Sequence, residues 1–158
     1  HAGFKIINKE QDIILLEKLP SNIYFKKVSV NDSKILFRLL KKRVHFISHR
    51  SNPAYEKHKK FIESKPYRHW YLIFEDDEPI GSFYIQHDNS IGINLTMTNL
   101  NNVKATLDFI RVEFEPMAAD ASKTPSYFYV NVAYSNIQFK DILAKLDCIP
   151  IQTSYQLY

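Results

Sequence analysis

At 158 residues the chain suits one domain, long enough to bury a core without disulfides or a structural metal. Apolar residues at 45% and charged residues at 24% are ordinary for a globular protein, and ten Tyr with eleven Phe argue for strands and against disorder. The net charge of +4 is modest, the lone Cys148 excludes an internal disulfide and a multi-cysteine zinc site, and no apolar run approaches a membrane span.

Residues 1–3, His1-Ala2-Gly3, read as a tag remnant, which leaves residues 4–158 as a single domain. No signal peptide is visible, and one cysteine fits a reducing, cytoplasmic setting. Ile23 to Val28 is a β-prone run. Asn31-Asp32-Ser33 then offers an N-cap to a helix whose Ile35, Leu36, Leu39 and Leu40 recur at helical spacing up to about Arg43. Asn52-Pro53 signals a second helix, with Tyr55, Phe61 and Ile62 on its apolar side and Lys65-Pro66 at its end. His69 to Phe74 and Pro79 to Gln86 flank the acidic turn Glu75 to Glu78 and read as a hairpin.

The turn His87-Asp88-Asn89 leads to a strand over Ser90 to Met97. Val103, Leu107, Ile110 and Phe114 then form a helical stripe that Pro116 stops. Met117 to Pro125 is a loop, Tyr127 to Tyr134 (YFYVNVAY) a strand, and Ser135-Asn136 caps a last helix holding Phe139, Ile142, Leu143 and Leu146. Ile149 to Tyr158 closes the chain as a strand. The order β-α-α-β-β-β-α-β-α-β, without repeat or linker, implies one α/β (α+β) domain: a mixed, mostly antiparallel central sheet with helices on both faces.

Positive charge gathers at Lys41-Lys42-Arg43 and Lys57-His58-Lys59-Lys60, apart from the acidic turn at Glu75 to Glu78. That asymmetry fits an anionic small molecule at least as well as nucleic acid. The strand–loop–helix stretch SIGINLTMTNLNNVKATLDFI, from Ser90 to Ile110, has the order of an anion-binding unit, because a helix start presents free amides. Its loop TMTNLNNVK has no glycine. Every residue except proline supplies an amide, and Asn101 and Asn102 tolerate unusual backbone angles, so they are the least costly replacements. Val103 keeps the amides usable if its φ is negative and its side chain faces the core, and Lys104 could add a charge. The plain alternative is a strand joined to a helix.

This order and these local sequences resemble the GNAT superfamily of N-acetyltransferases from about Ile23 to Tyr158. IYFKKVSVND (Ile23 to Asp32) resembles the first strand and helix start, and SIGINL (Ser90 to Leu95) the fourth strand, which lines the cofactor groove. SNPAYEKHKKFIESKPYRHWYLIFEDDEPIGSFYI resembles the second helix and hairpin of the bacterial amino-sugar N-acetyltransferase branch, with His58 near the helix middle. SNIQFKDILAKLDC (Ser135 to Cys148) resembles the last helix. The chain departs from the pattern twice. Leu100, Asn101 and Val103 stand about where the pyrophosphate loop carries its basic residue and glycines, and Asp147-Cys148 replaces a Gly-Phe pair.

The resemblance implies acetyl-CoA as co-substrate, no metal, and transfer of acetyl to a primary amine by direct attack, with an amino-sugar nucleotide as favoured acceptor. It implies that the backbone of Asn94, Leu95, Thr96 and Met97 holds the pantetheine arm and offers the oxyanion N–H. The loop amides of Asn101, Asn102 and Val103, with Lys104, meet the pyrophosphate, and Asn136 and Phe139 approach the cofactor from the next element. The usual tyrosine acid falls on Leu143, so Tyr134 is the substitute, against its plainer reading as a packed strand aromatic. His58 is the candidate base, because its pKa range suits proton transfer near neutrality. A helix-face histidine packed beside Tyr55 and Phe61 is the alternative.

His45, His49 and His69 are weaker candidates, and no carboxylate or cysteine completes a metal site with them. Cys148 reads as a small buried residue. Four further readings stay open: an aminoglycoside as acceptor, a protein or peptide N-acetyltransferase, a GNAT-like domain that only binds, and, ranked last, a nucleic-acid binder using the basic patches. A tyrosine-rich sheet edge permits a homodimer.

Overall fold

The computed structural model describes residues 5–10, 13–17, 22–45 and 53–157. Strands β1 (Lys5–Glu10), β2 (Ile13–Glu17) and β3 (Ile23–Lys27) come first, followed by helices α1 (Ser33–Lys41) and α2 (Tyr55–Glu63). Then come β4 (His69–Glu75), β5 (Glu78–Ile85), β6 (Ser90–Leu95), α3 (Leu100–Glu113), β7 (Tyr129–Val130) and α4 (Ile137–Lys145). The seven strands lie in one sheet in sequence order. Every pairing is antiparallel except β6 with β7. The expected α/β class, with a mostly antiparallel sheet and helices on both faces, is the one observed.

Two-residue alternation sorts the side chains. Ile23 and Phe25 of β3, Ile73 of β4, Phe83 and Ile85 of β5 and Ile91 of β6 pack with Ala105, Phe109 and Ile110 of α3. Phe25 stacks on Phe109 with centroids 4.2 Å apart. On the opposite face Leu72 and Phe74 meet Leu36 of α1 and Ile62 of α2. Val103 and Leu107 of α3 join Phe139 and Ile142 of α4 in a third cluster, against which Cys148 packs half-buried. The expected stripe on α3 holds, because Val103, Leu107 and Ile110 are all buried.

The hairpin between β4 and β5 turns at Asp76 and Asp77, both with positive φ, as a tight primed turn requires. Asn89, buried with φ 66, tethers the loop from Met117 to Pro125: its Nδ2 donates to both of their carbonyls, and its Oδ1 accepts from the Met117 amide.

Several local expectations need correction. The first helix keeps Asp32 as its N-cap residue, within the expected Asn31-Asp32-Ser33, but it is entered a turn early. A 3-10 turn, Val30–Asp32, precedes it, and buried Asp32 points back to accept from the Ser29 amide at 2.8 Å, Ser29 Oγ at 2.9 Å and Lys26 Nζ at 2.6 Å. α2 starts at Tyr55 rather than Pro53, and Asn52 lies outside the described residues. YFYVNVAY supplies only the two-residue β7, because the chain leaves β6 after Asn131. The tail is no strand over 149–157. Ile149, Ile151, Tyr155 and Leu157 are exposed there, since alternation gives a strand its faces but not a ladder partner. The hairpin of β1 and β2, which sequence patterning did not single out, extends the sheet beyond β3.

Candidate active site

The sheet splits between β6 and β7. β6 pairs with β5 from Ile91 to Leu95, whereas β7 meets β6 only at Ser90↔Tyr129 and Ile91↔Val130. A last bond runs from the Asn131 amide to the Ile91 carbonyl at 3.0 Å, and the strands then part. Backbone groups alternate between the two edges of a strand. Ile91 faces β7, so Ile93 and Leu95 also turn their N–H and C=O groups toward the gap. The gap opens into a groove of about 1070 Å³ lined by the end of α1, by α2, by the α1–α2 face of β4 to β6, by 131–133 and by the start of α4.

Asn94, Leu95, Thr96, Met97, Asn136 and Phe139 all line this groove. The expected use of the backbone from Asn94 to Met97 needs correction, because Asn94 and Thr96 turn their N–H and C=O groups to β5. Thr96 is held to the Ile80 carbonyl by its amide at 2.8 Å and its Oγ1 at 3.0 Å, and Gln138 Nε2 donates to the Thr98 carbonyl at 2.7 Å. Asn136 caps α4, its Oδ1 accepting from the Phe139 amide at 3.2 Å, so capping and groove lining coexist. Phe139 is only 3% exposed and belongs to the core between α3 and α4 as well.

The loop into α3 needs no glycine for its backbone: none of its residues has positive φ. Its Val103 is helical and fully buried. Two of the four leading amides are nevertheless spent. Asn99 caps the helix, its Oδ1 accepting from the Asn102 amide at 2.9 Å and its carbonyl from the Val103 amide at 3.1 Å. That leaves Leu100 and Asn101 as the outward donors. Asn102 is buried, with Oδ1 unpartnered and Nδ2 3.5 Å from the Met97 carbonyl. Lys104 pairs with Asp108 along the helix, so its charge is not aimed at the loop.

His58 sits on the inner face of α2, 7% exposed, lines the groove, and meets the Phe37 ring at 5.7 Å. Burial lowers its pKa, which keeps the imidazole neutral at pH 7, and its Nε2 is buried without a partner among the described residues. Tyr134 is placed elsewhere. It is 87% exposed, with Lys140 Nζ 4.7 Å above its ring, and does not line the groove. The strand that would have aimed it inward ends at Val130.

The groove's tyrosines are Tyr67 and Tyr84, which sequence reasoning missed. Burial raises both phenols' pKa, partly opposed by the nearby Arg43 charge. The alternation of Ser82, Tyr84 and Gln86 against Phe83 and Ile85 was the available signal. His45 Nδ1 contacts Ser135 Oγ at 3.1 Å and joins the segment after α1 to the loop before α4. His69 packs against Phe114, and His49 lies outside the described residues.

No family model matches the sequence, and no curated protein sequence is detectably similar to it. Solved structures do match. A possible acetyltransferase from Clostridium difficile 630 aligns with a TM-score of 0.55 and 10% identity over 86% of this chain and 96% of its own. The aminoglycoside N-acetyltransferase AAC(6')-Ib11 gives 0.54 and 12%, over 78% and 83%. RimL, the ribosomal L7/L12 alpha-N-protein acetyltransferase, gives 0.52 and 9%, over 89% and 84%. At such identities the likeness speaks for the fold, and the fold of this chain is that of the GNAT-like acetyltransferases.

Proposed function

We propose that this protein is an acyl-CoA-dependent N-acyltransferase that moves acetyl from acetyl-CoA to a primary amine of a small molecule. The observation that carries the reading is the split between β6 and β7, which leaves the backbone of Ile93 and Leu95 without a strand partner among the described residues, beside the groove. Buried backbone groups without partners are costly, and the alternating amides of a pantetheine arm suit them. The Leu100 and Asn101 amides at the start of α3 suit a phosphate. Acetyl-CoA bound there supplies a thioester whose carbonyl oxygen gains charge as an amine attacks.

An unpaired N–H of β6 is positioned to donate to that oxygen. His58, neutral through burial, accepts the proton the amine must lose, directly or through water. As the C–N bond forms the C–S bond would break, and CoA would leave as the thiolate and take its proton from solvent. The resemblance of α2 to the amino-sugar branch favours an amino-sugar nucleotide as acceptor.

Thermal unfolding with acetyl-CoA and with free CoA tests the reading. A hundredfold excess over Kd stabilises by about 2.7 kcal/mol, or roughly 5–10 °C for a domain of this size. Thiol release in the presence of an amine then reports transfer. No shift with either ligand at millimolar concentration would sink the enzyme reading. A second reading, a GNAT-like domain that binds without catalysing, draws on the spent Asn102 amide and the Lys104–Asp108 pair. It predicts binding without thiol release for any amine.

A further inference from the structure

The wall of the groove made by α2 and strands β4 and β5 is aromatic. Tyr67 lies flat on Tyr84, with centroids 4.0 Å apart and planes 9° from parallel. Trp70 meets Tyr67 edge-on at 5.0 Å, and Phe61 meets both Tyr67 and Trp70 edge-on. All four rings line the groove. Two ring nitrogens on this side, Trp70 Nε1 and His58 Nε2, are buried without hydrogen-bond partners among the described residues. A buried polar group without a partner needs an explanation, and a ligand is one.

The same groove is charged with one sign. Lys42, Arg43 and Lys57 line it, and among the described residues that line it there is no Asp or Glu. The surrounding sequence shows the same bias: residues 41–60 hold seven Lys and Arg against the single acid Glu56, which is exposed. Buried Asp32 and half-buried Asp108 are paired with Lys26 and Lys104. Among the described residues that line the groove no acid therefore balances Lys42 and Lys57, and their field concentrates anions at the α1–α2 side.

Resting on the acyltransferase reading, we propose that the acceptor is a ring-bearing primary amine carrying a phosphate or carboxylate, its ring against the Tyr67–Trp70 wall and its acidic group toward Lys42 and Lys57. Sugar and base rings both present a face that packs on aromatic side chains. A polycationic amine would place like charges against these cations and lose affinity. The commitment is to an anionic acceptor and against an aminoglycoside.

Trp70 is the chain's single tryptophan, so its emission reports on this wall alone. The experiment titrates the protein, without acyl donor, with glucosamine, a glucosamine phosphate, kanamycin and inorganic phosphate. The glucosamine phosphate is expected to change the emission with an affinity at least about tenfold above that of glucosamine, with kanamycin weakest. Raising the salt, or the exposed substitution Lys57→Gln, shrinks that preference. Lys42→Gln, also exposed, provides a second variant whose folding is checked by its unfolding temperature.

Equal affinity for the two sugars, tighter binding of kanamycin, or no change with either sugar at millimolar concentration overturns the proposal. Phosphate alone reproducing the full change also overturns it, since an anion site without ring recognition would then be all that exists. Failure of the acyltransferase reading is seen separately, in the absence of any shift with acetyl-CoA.

Discussion

Gly92→Ala probes the groove wall most directly. Gly92 of β6 faces Tyr84 across the β5–β6 ladder, and a Cβ there would stand 2.1 Å from Tyr84 Cζ and 2.4 Å from its hydroxyl oxygen. Ordinary contact begins at 3.4 Å, so the ring must move by more than an ångström. Tyr84 cannot do so without disturbing its stack on Tyr67 at 4.0 Å. The lost aromatic pair costs about 0.5–1.5 kcal/mol and the overpacking about 1–3 kcal/mol.

A total near 2–4 kcal/mol lowers the unfolding temperature by roughly 6–12 °C. Calorimetry measures the loss, and the Trp70 emission shifts with it, because Trp70 touches Tyr67 edge-on. In a Tyr84→Ala background the same substitution is expected to be nearly neutral, since the obstructing ring is gone and alanine restricts the unfolded chain more than glycine does. A Gly92→Ala protein within about 1 kcal/mol of wild type, with unchanged emission, would refute this account of the wall.

Asp32→Ala removes the acceptor for the Ser29 amide, Ser29 Oγ and Lys26 Nζ, and chemical denaturation should show a loss of about 1–3 kcal/mol. A neutral outcome would mean that the turn before α1 holds without it. Asn99→Ala strips the cap of α3 and should cost about 1 kcal/mol, whereas Asn101→Ala, exposed and uncapping nothing, should leave stability unchanged. His58 has a folded-state pKa below 6.5 because burial disfavours its charged form, and His69 shares that direction. The unfolded chain therefore binds more protons below pH 6.5, so stability is full above that pH and declines as pH falls through it. His58→Gln should flatten part of that decline, with His69 supplying the rest; identical slopes by pH-dependent unfolding would contradict the burial argument.

Much of the fold was written in local patterns. The stripe of Val103, Leu107 and Ile110 made α3, and the paired acids Asp76 and Asp77 made the β4–β5 turn. Asn136 capped α4 where the sequence placed it. These depend on neighbours within a turn or a hairpin, which is the range over which propensity and periodicity act. The strands at the end of the chain were read less well. YFYVNVAY and the alternating tail from Ile149 carry strand composition, but a strand exists only where another chain segment completes its ladder. β6 offered β7 two residues of edge and the tail none over 149–157.

The same limit governs the site. The family resemblance marked His58, Asn136 and the β6 backbone, and folding brought them around one groove. Tyr134 was chosen by its place after a supposed strand and is exposed, because that strand stops four residues earlier, at Val130. Nothing in the sequence marks Tyr67, Trp70 and Tyr84 as site residues, since nothing local distinguishes a ring that fills the interior from one that walls a cavity. The sequence by itself determined the helices, the strands β3 to β6 with their faces, and the positive charge around α1 and α2. The tertiary structure decided where the sheet splits and which rings and cations meet there, because those contacts join residues distant along the chain through packing that no local window contains.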